Sequence, residues 1–135
     1  MNIEYLWVAI GGAFGSVGRF WIGGLVAAKF GETFPFGTLI INVTGSFLIG
    51  IFAAMTSSDG GMDPRSRVVV SRLLMTGVCG GYTTFSSFSL HTLQLVQDRQ
   101  WLYAGGNILF SVVLCMIAVW LGYLAGSAFN SIKGH

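Results

Sequence analysis

The chain has 135 residues, of which 53% are hydrophobic and only 9% are charged, and its mean hydropathy is +0.73. A soluble domain usually carries about 25% charged residues, so this composition excludes an ordinary soluble protein and predicts an integral membrane protein. The net charge of +2, without a run of basic residues, argues against nucleic acid as a partner.

The first apolar run extends roughly from Ile3 to Ala28 and predicts span one, because it is too long for the hydrophobic region of a signal peptide. Gly11 and Gly15 form a small-xxx-small pair, which suits the close approach of another helix. Arg19 interrupts the run, and a charge at this depth costs about 3 kcal/mol on insertion scales. Two roles stay open for this arginine: snorkelling to the interface, or attracting an anion.

Span two is predicted roughly over residues 36–55. Thr38, Asn42 and Ser46 recur every four residues, so their polar groups lie along one helix face. A carboxamide in hydrocarbon needs hydrogen-bond partners. Asn42 therefore either holds the bundle together through an interhelical hydrogen bond or contacts a ligand in a pore.

Span three, predicted over residues 68–97, has unusual chemistry in its middle. The stretch from Gly80 to Ser89 holds paired glycines, six hydroxyls in ten residues and two phenylalanines three positions apart. Each Gly costs about 1 kcal/mol relative to Ala in a helix, and backbone groups freed at membrane depth must find partners. We predict a transmembrane helix broken at the Gly-Gly/Thr-Thr stretch, an arrangement common at ion sites. Close helix packing through Gly and Ser is the alternative.

Span four, predicted roughly over residues 100–127, carries a second polar stripe whose members recur every four positions: Tyr103, Asn107, Ser111 and Cys115. Gly122 and Gly126 form another small-xxx-small pair. Cys79 and Cys115 lie in apolar runs without metal-ligand spacing, so we interpret them as small buried residues.

The four spans predict a single membrane domain over residues 1–135. They need about 80 residues, which leaves only short loops and tails. Because four helices can hardly enclose an aqueous path, we expect an oligomer. Positive residues normally mark the cytoplasmic side, but here the bias between the two sides is modest. One side holds Arg65, Arg67 and Lys133, with Arg72 at its edge, and the other holds Lys29 and Arg99.

Three stretches of the sequence resemble the Fluc (CrcB) family of bacterial fluoride channels. They are GSVGR at residues 15–19, GTLIINVTG at 37–45 and GGYTTFSSFS at 80–89. The last is similar to the family signature GGxTTFSTF, with Ser87 where threonine is usual. The resemblance covers the whole chain, including its length and four-span layout.

This resemblance implies an all-α, antiparallel, dual-topology homodimer with two pores. It also implies a structural sodium ion at the dimer centre, held by the backbone carbonyls of Gly80 and Thr83 from both subunits. The channel would sit in the lipid of the bacterial inner membrane as a multi-pass protein and allow passive fluoride export, hence fluoride resistance. The implied pore and fluoride-binding residues are Asn42, Phe85, Phe88, Ser86, Ser87, Tyr103, Asn107 and Ser111.

Two positions besides Ser87 depart from the family pattern. Asn107 stands where the family often has serine, and His91 stands where it usually has an acid. Neither departure touches the signature at residues 80–89.

A small four-helix multidrug-type exporter is the main alternative. Proton-coupled exporters need a carboxylate inside the membrane, whereas the acids of this chain fall at tails, loops or span ends: Glu4, Glu32, Asp59, Asp63 and Asp98. A non-transporting assembly protein would not need two polar stripes and a broken helix. An enzyme is not expected, since His91 and His135 have no nucleophile or metal-ligand spacing around them.

Overall fold

A computed structural model describes residues 2–134, so Met1 and His135 lie outside the described residues. Its elements in chain order are α1 (Ile3–Phe30), α2 (Phe36–Thr56), a 3₁₀ turn (Ser58–Gly60), α3 (Pro64–Val69), a π-helix (Val70–Cys79), α4 (Gly80–Tyr82), α5 (Phe85–Gln97) and α6 (Trp101–Lys133). Four helical stretches are long and apolar enough to cross a membrane: Ile3–Phe30, Phe36–Thr56, Pro64–Gln97 and Trp101–Lys133. The protein is therefore all-α, with four candidate spans.

All four stretches extend beyond the predicted bounds, and the third and fourth do so by the most. The third begins at Pro64 rather than at residue 68, because Asp63 caps it by accepting from the backbone N–H of Ser66, and proline is well suited to a first helical position. The fourth continues to Lys133 rather than to residue 127, and Asn130 fastens this extension by donating to the carbonyl of Ala54.

Short connections join the spans. Gly31 ends α1 with a φ of 76°, a left-handed conformation that residues with a β-carbon rarely adopt. Arg99 adopts a φ of 59° in the turn before α6, and Gln100 closes that turn by donating to the carbonyl of Leu95. These tight turns place consecutive helices side by side.

The glycine pairs pack helices backbone to backbone, as predicted. A β-carbon on Gly11 or Gly15 would collide with the backbone of the π-helix, and one on Gly122 or Gly126 would collide with the backbone of α2. The Gly122–Gly126 contact lies within one chain. Polypeptide backbones that approach this closely leave no space for lipid or water between the helices.

The middle of the third stretch changes conformation at two threonines. Gly80 and Gly81 are helical, whereas Thr83 and Thr84 are extended, with ψ values of 157° and 116°. We refer to Thr83 and Thr84 as the extended pair. The β-branched side chain of threonine favours extended backbone, while Gly81 is held in the helix by close contact with Gly12 of α1.

Candidate functional site: two cavities that meet at Thr84

Two cavities contact Thr84, and the larger of them has a volume of about 580 Å³ and lies between α1, α2 and α5. Glu32 and Asp98, which stand just beyond helix ends, line it at one level, and Arg19 and Thr84 line it at the level of the extended pair. The cavity therefore runs from a loop region towards the middle of the bundle. Its remaining polar side chains are Thr33, Thr38, Ser87, His91 and Gln94.

The smaller cavity has a volume of about 310 Å³ and lies between α2, α4, α5 and α6. Among its lining residues, only Thr84 also lines the larger cavity. The predicted site residues that line it are Asn42, Gly80, Thr83, Phe85, Phe88 and Ser111. Six predicted site positions, drawn from three of the four spans, thus surround one space.

Asn42 fixes the backbone of Thr84 at the junction of the two cavities. Its Oδ1 accepts from the Thr84 N–H at 2.8 Å, and its Nδ2 donates to the Thr84 carbonyl at 3.0 Å. This pair of bonds satisfies both backbone groups of an extended residue inside the bundle, where unpaired groups are costly. It gives Asn42 the interhelical bonding role that the sequence left open. An amide has two N–H donors, so a second one is available on Nδ2, and Asn42 also lines the smaller cavity.

At the extended pair, two backbone N–H groups do not make the hydrogen bonds of a regular α-helix. In an uninterrupted helix, the Thr84 N–H would donate to the Gly80 carbonyl and the Ser87 N–H to the Thr83 carbonyl. Instead, the Thr84 N–H donates to Asn42. Thr84 is the N-cap of α5, and its hydroxyl accepts from the Ser87 N–H at 3.2 Å. The carbonyls of Gly80 and Thr83 therefore lose their helical partners next to the smaller cavity.

Arg19 reaches the end of α4 from the neighbouring helix. Its Nε donates to the Gly81 carbonyl at 3.1 Å, and the side chain is half-buried. A cation next to the C-terminal carbonyls of a helix is favourable. The arginine also lines the larger cavity. It therefore has a structural contact and a position from which it can attract an anion.

Phe85 and Phe88 lie together on α5. Their ring centroids are 5.4 Å apart with an interplanar angle of 49°, and both line the smaller cavity. Phe85 is 79% exposed in the single chain, so only part of its ring faces this cavity. The two predicted serines of the same stretch separate: Ser87 lines the larger cavity, whereas Ser86 lines neither and lies 3.3 Å from the Thr84 hydroxyl.

The predicted polar stripe of α6 is only partly at the site. Ser111 lines the smaller cavity. Asn107 is buried and lines neither cavity, because its Nδ2 donates to the Thr92 hydroxyl at 2.9 Å while its Oδ1 accepts from Ser111. Tyr103 also lines neither cavity, and its ring packs edge-on against Phe34 at 6.0 Å.

Two site features were missed by the sequence reasoning. In the sequence Thr84 is one hydroxyl among six, although a threonine directly before a helix is a typical N-cap. The contact between Thr38 Oγ1 and His91 Nδ1, at 3.1 Å, joins residues 53 positions apart. Only the polar stripe on α2, which contains Thr38, could have suggested such a partner.

Known proteins similar to this chain belong to one family. Residues 6–123 match the family described as CrcB-like protein, Camphor Resistance (CrcB). A protein of Opitutus terrae named "Fluoride-specific ion channel FluC" is 56% identical over 134 residues, covering 96% of this chain and 97% of the relative. Proteins of the same name from Methylocella silvestris and Rhodospirillum rubrum are 49% and 51% identical. Those matches cover 98% and 95% of this chain and 99% and 98% of the relatives.

Proposed function

The chain belongs to the CrcB-like family, and from that membership we propose that it is a fluoride channel that lets fluoride leave the cell passively. It is a multi-pass bacterial membrane protein with four candidate spans. The family consists of ion channels, so the protein is not an enzyme. Passive export would lower cytoplasmic fluoride and so confer resistance.

The observation that supports an ion path most directly is the meeting of the two cavities at Thr84. Fluoride is small and strongly hydrated, so a pore must replace its water with hydrogen-bond donors. Hydroxyls and the carboxamide of Asn42 are such donors. The phenyl rings of Phe85 and Phe88 each carry a positive edge that can face an anion. Weak contacts of this kind let an ion enter and leave, as conduction requires.

The third span acts, in this proposal, as a broken helix that holds a structural sodium ion. Support comes from the N–H groups of Thr84 and Ser87, which donate to side chains and leave the carbonyls of Gly80 and Thr83 without their helical donors. Carbonyl oxygens of unwound backbone are common sodium ligands in membrane proteins. When bound, the ion would be coordinated by these carbonyl oxygens and would add positive potential near the path. Because it would bind the folded assembly only, replacing sodium with a large organic cation should lower stability. Equal melting temperatures in the two salts would argue against the site.

The channel would assemble as an antiparallel homodimer. Gly80, Phe85, Ser86 and Ser89 are exposed in the single chain, although their segment lies midway along a candidate span. Backbone and hydroxyl groups facing lipid are costly, which favours a second copy against this face. An antiparallel partner would bring the Gly80 and Thr83 carbonyls of both copies together.

Dual topology can be tested through the loop charges. Adding about three lysines to the loop at residues 56–67 should impose one orientation, since short-loop Lys and Arg set topology. That variant alone should lose flux, and co-expression with a variant biased oppositely beside Lys29 and Arg99 should restore it. Full activity from the singly biased variant in one orientation would instead point to a parallel oligomer.

The exporter alternative is not favoured. Within the described residues, every acid stands at the first turn of a helix, at a cap or in a connection: Glu4, Glu32, Asp59, Asp63 and Asp98. Glu4 is moreover paired with Arg72 at 2.8 Å. No carboxylate is thus placed to carry a proton through the middle of the bundle.

The direct test is anion efflux from liposomes. Purified protein is reconstituted into vesicles loaded with potassium fluoride or potassium chloride, and efflux is started with a potassium ionophore. We expect rapid fluoride efflux and chloride efflux close to that of protein-free vesicles. Equal rates for the two anions, or no fluoride efflux, would refute a fluoride channel. Efflux that requires an opposing proton gradient would support the exporter instead.

A further inference from the structure

One face of α5 presents polar side chains to the larger cavity. Ser87, His91, Gln94 and Asp98 follow one another at intervals of four, three and four residues and all line it. This spacing places them on one side of a helix. His91 lies seven residues after Thr84, a rise of about 10 Å along the helix. The histidine therefore stands between the loop-level acid Asp98 and the junction of the two cavities.

The imidazole of His91 is held by α2. Its Nδ1 lies 3.1 Å from the Oγ1 of Thr38. A hydroxyl can donate to a neutral ring nitrogen and can equally accept from a protonated one. Thr38 can therefore hold the ring in the same place in both charge states, so that protonation adds a charge without removing the contact.

The charges around His91 give this protonation a defined electrostatic effect. Among the described residues, the charged side chains that line the cavity are Arg19 of α1, Glu32 of the connection to α2 and Asp98 directly after α5. The only polar side chain that α2 contributes is that of Thr38, and α6 contributes no lining residue. One cation and two carboxylates give a net charge of −1 when His91 is neutral and 0 when it is protonated. Low-dielectric walls focus such a field and change the local concentration of an anion.

We propose that His91 is an anion-contacting residue of the larger cavity, where it attracts fluoride on its way to Thr84 and makes conduction depend on pH. The proposal rests on the function proposed above. Histidine side chains ordinarily change charge between about pH 5 and pH 8. Protonation removes the net negative charge of the cavity, while the Nε2–H of the ring can donate to the ion in both charge states. Flux through the protein should therefore rise as pH falls.

The experiment measures fluoride efflux from liposomes with the same pH on both sides, and subtracts the leak of protein-free vesicles to remove permeation by hydrofluoric acid. Between about pH 8 and about pH 6 we expect wild-type flux to rise about threefold, the size expected of one charge in a partly solvated cavity. His91→Gln keeps a hydrogen-bonding group near Thr38 but cannot titrate, so its flux should not change with pH.

Two further variants separate the charge of His91 from its shape. His91→Lys carries a fixed cation and should conduct at about pH 8 at least as well as the wild type at about pH 6. It also provides the test if His91→Gln does not yield folded protein. His135→Gln removes the other histidine of the chain and should keep the full pH dependence.

The outcomes distinguish this proposal from the one it rests on. A wild-type protein without fluoride flux at any pH contradicts the channel function itself. A wild-type protein that conducts equally at both pH values contradicts only the role of His91. The same conclusion follows if His91→Gln retains the pH dependence or if His91→Lys conducts no better than the wild type at the higher pH.

Discussion

The larger cavity is lined by Arg19, Glu32, His91 and Asp98, whereas the described residues that line the smaller cavity include no charged side chain. An ion in the larger cavity would experience a field set by full charges, which act over several ångströms. In the smaller cavity the lining side chains offer it only dipoles and ring edges, which act at contact distance. We therefore expect the first space to collect the anion and the second to select and pass it.

The junction should be the most sensitive point of this arrangement. Asn42→Asp replaces a donor to the Thr84 carbonyl with a carboxylate, which repels both that carbonyl and a passing anion. Leaving a buried polar group unpaired costs about 1–3 kcal/mol. We expect fluoride efflux to be abolished. Asn42→Ser keeps one donor but is too short for both bonds, so it should retain partial flux. Normal conduction by Asn42→Asp would mean that the two cavities do not form one path.

The smaller cavity should respond to ring chemistry. Phe85→Ile and Phe88→Ile keep an apolar side chain but remove the positive ring edge, so flux should fall on the order of tenfold if each edge contributes about 1.4 kcal/mol. Phe110→Ile is the matched control, since this exposed phenylalanine of α6 lines neither cavity. Wild-type flux in both single variants would place the path outside the smaller cavity.

The larger cavity should respond to charge rather than to shape. Arg19→Gln removes a cation, and we expect flux to fall about threefold because one charge is lost from a partly solvated space. Arg19→Lys keeps the charge but not the planar group that bonds the Gly81 carbonyl, so it should retain most of the flux. If both variants lose flux equally, Arg19 acts by fixing α4 and not by attracting anions.

The smallest effect is expected outside both cavities, at Asp63. Hydrogen bonding with the Ser66 side chain, and then with the Ser66 backbone N–H, lowers the pKa of this carboxyl below its ordinary value of 3.8. Because the pKa is lowered in the folded protein, the ionised carboxylate stabilises the fold fully at pH values above the ordinary pKa. This contribution is lost as the pH falls through the lowered pKa. Asp63→Ala should slightly lower the melting temperature at about pH 7 and not in strong acid, with fluoride flux unchanged. A large loss of flux would show that this loop takes part in conduction.

Much of this organisation could be predicted from the sequence because it depends on local patterns. Apolar length gave the four helical stretches, and small-residue spacing gave the backbone contacts of Gly11 and Gly122. The spacing of Phe85 and Phe88 placed them on one face of α5, and they do line one cavity. Each of these features follows from residues within a few turns of one helix.

Only the tertiary structure decided how these faces meet. Asn42 reaches Thr84 across 42 positions of sequence, and Arg19 reaches Gly81 across 62. Tyr103 and Asn107 share the predicted stripe of Ser111 yet turn to Phe34 and Thr92, because the rotation of α6 against α5 selects which residues face the cavity. Helical periodicity fixes which side chains share a face, but the partner of that face depends on how close the glycines let the backbones approach, and that is a property of the packed bundle.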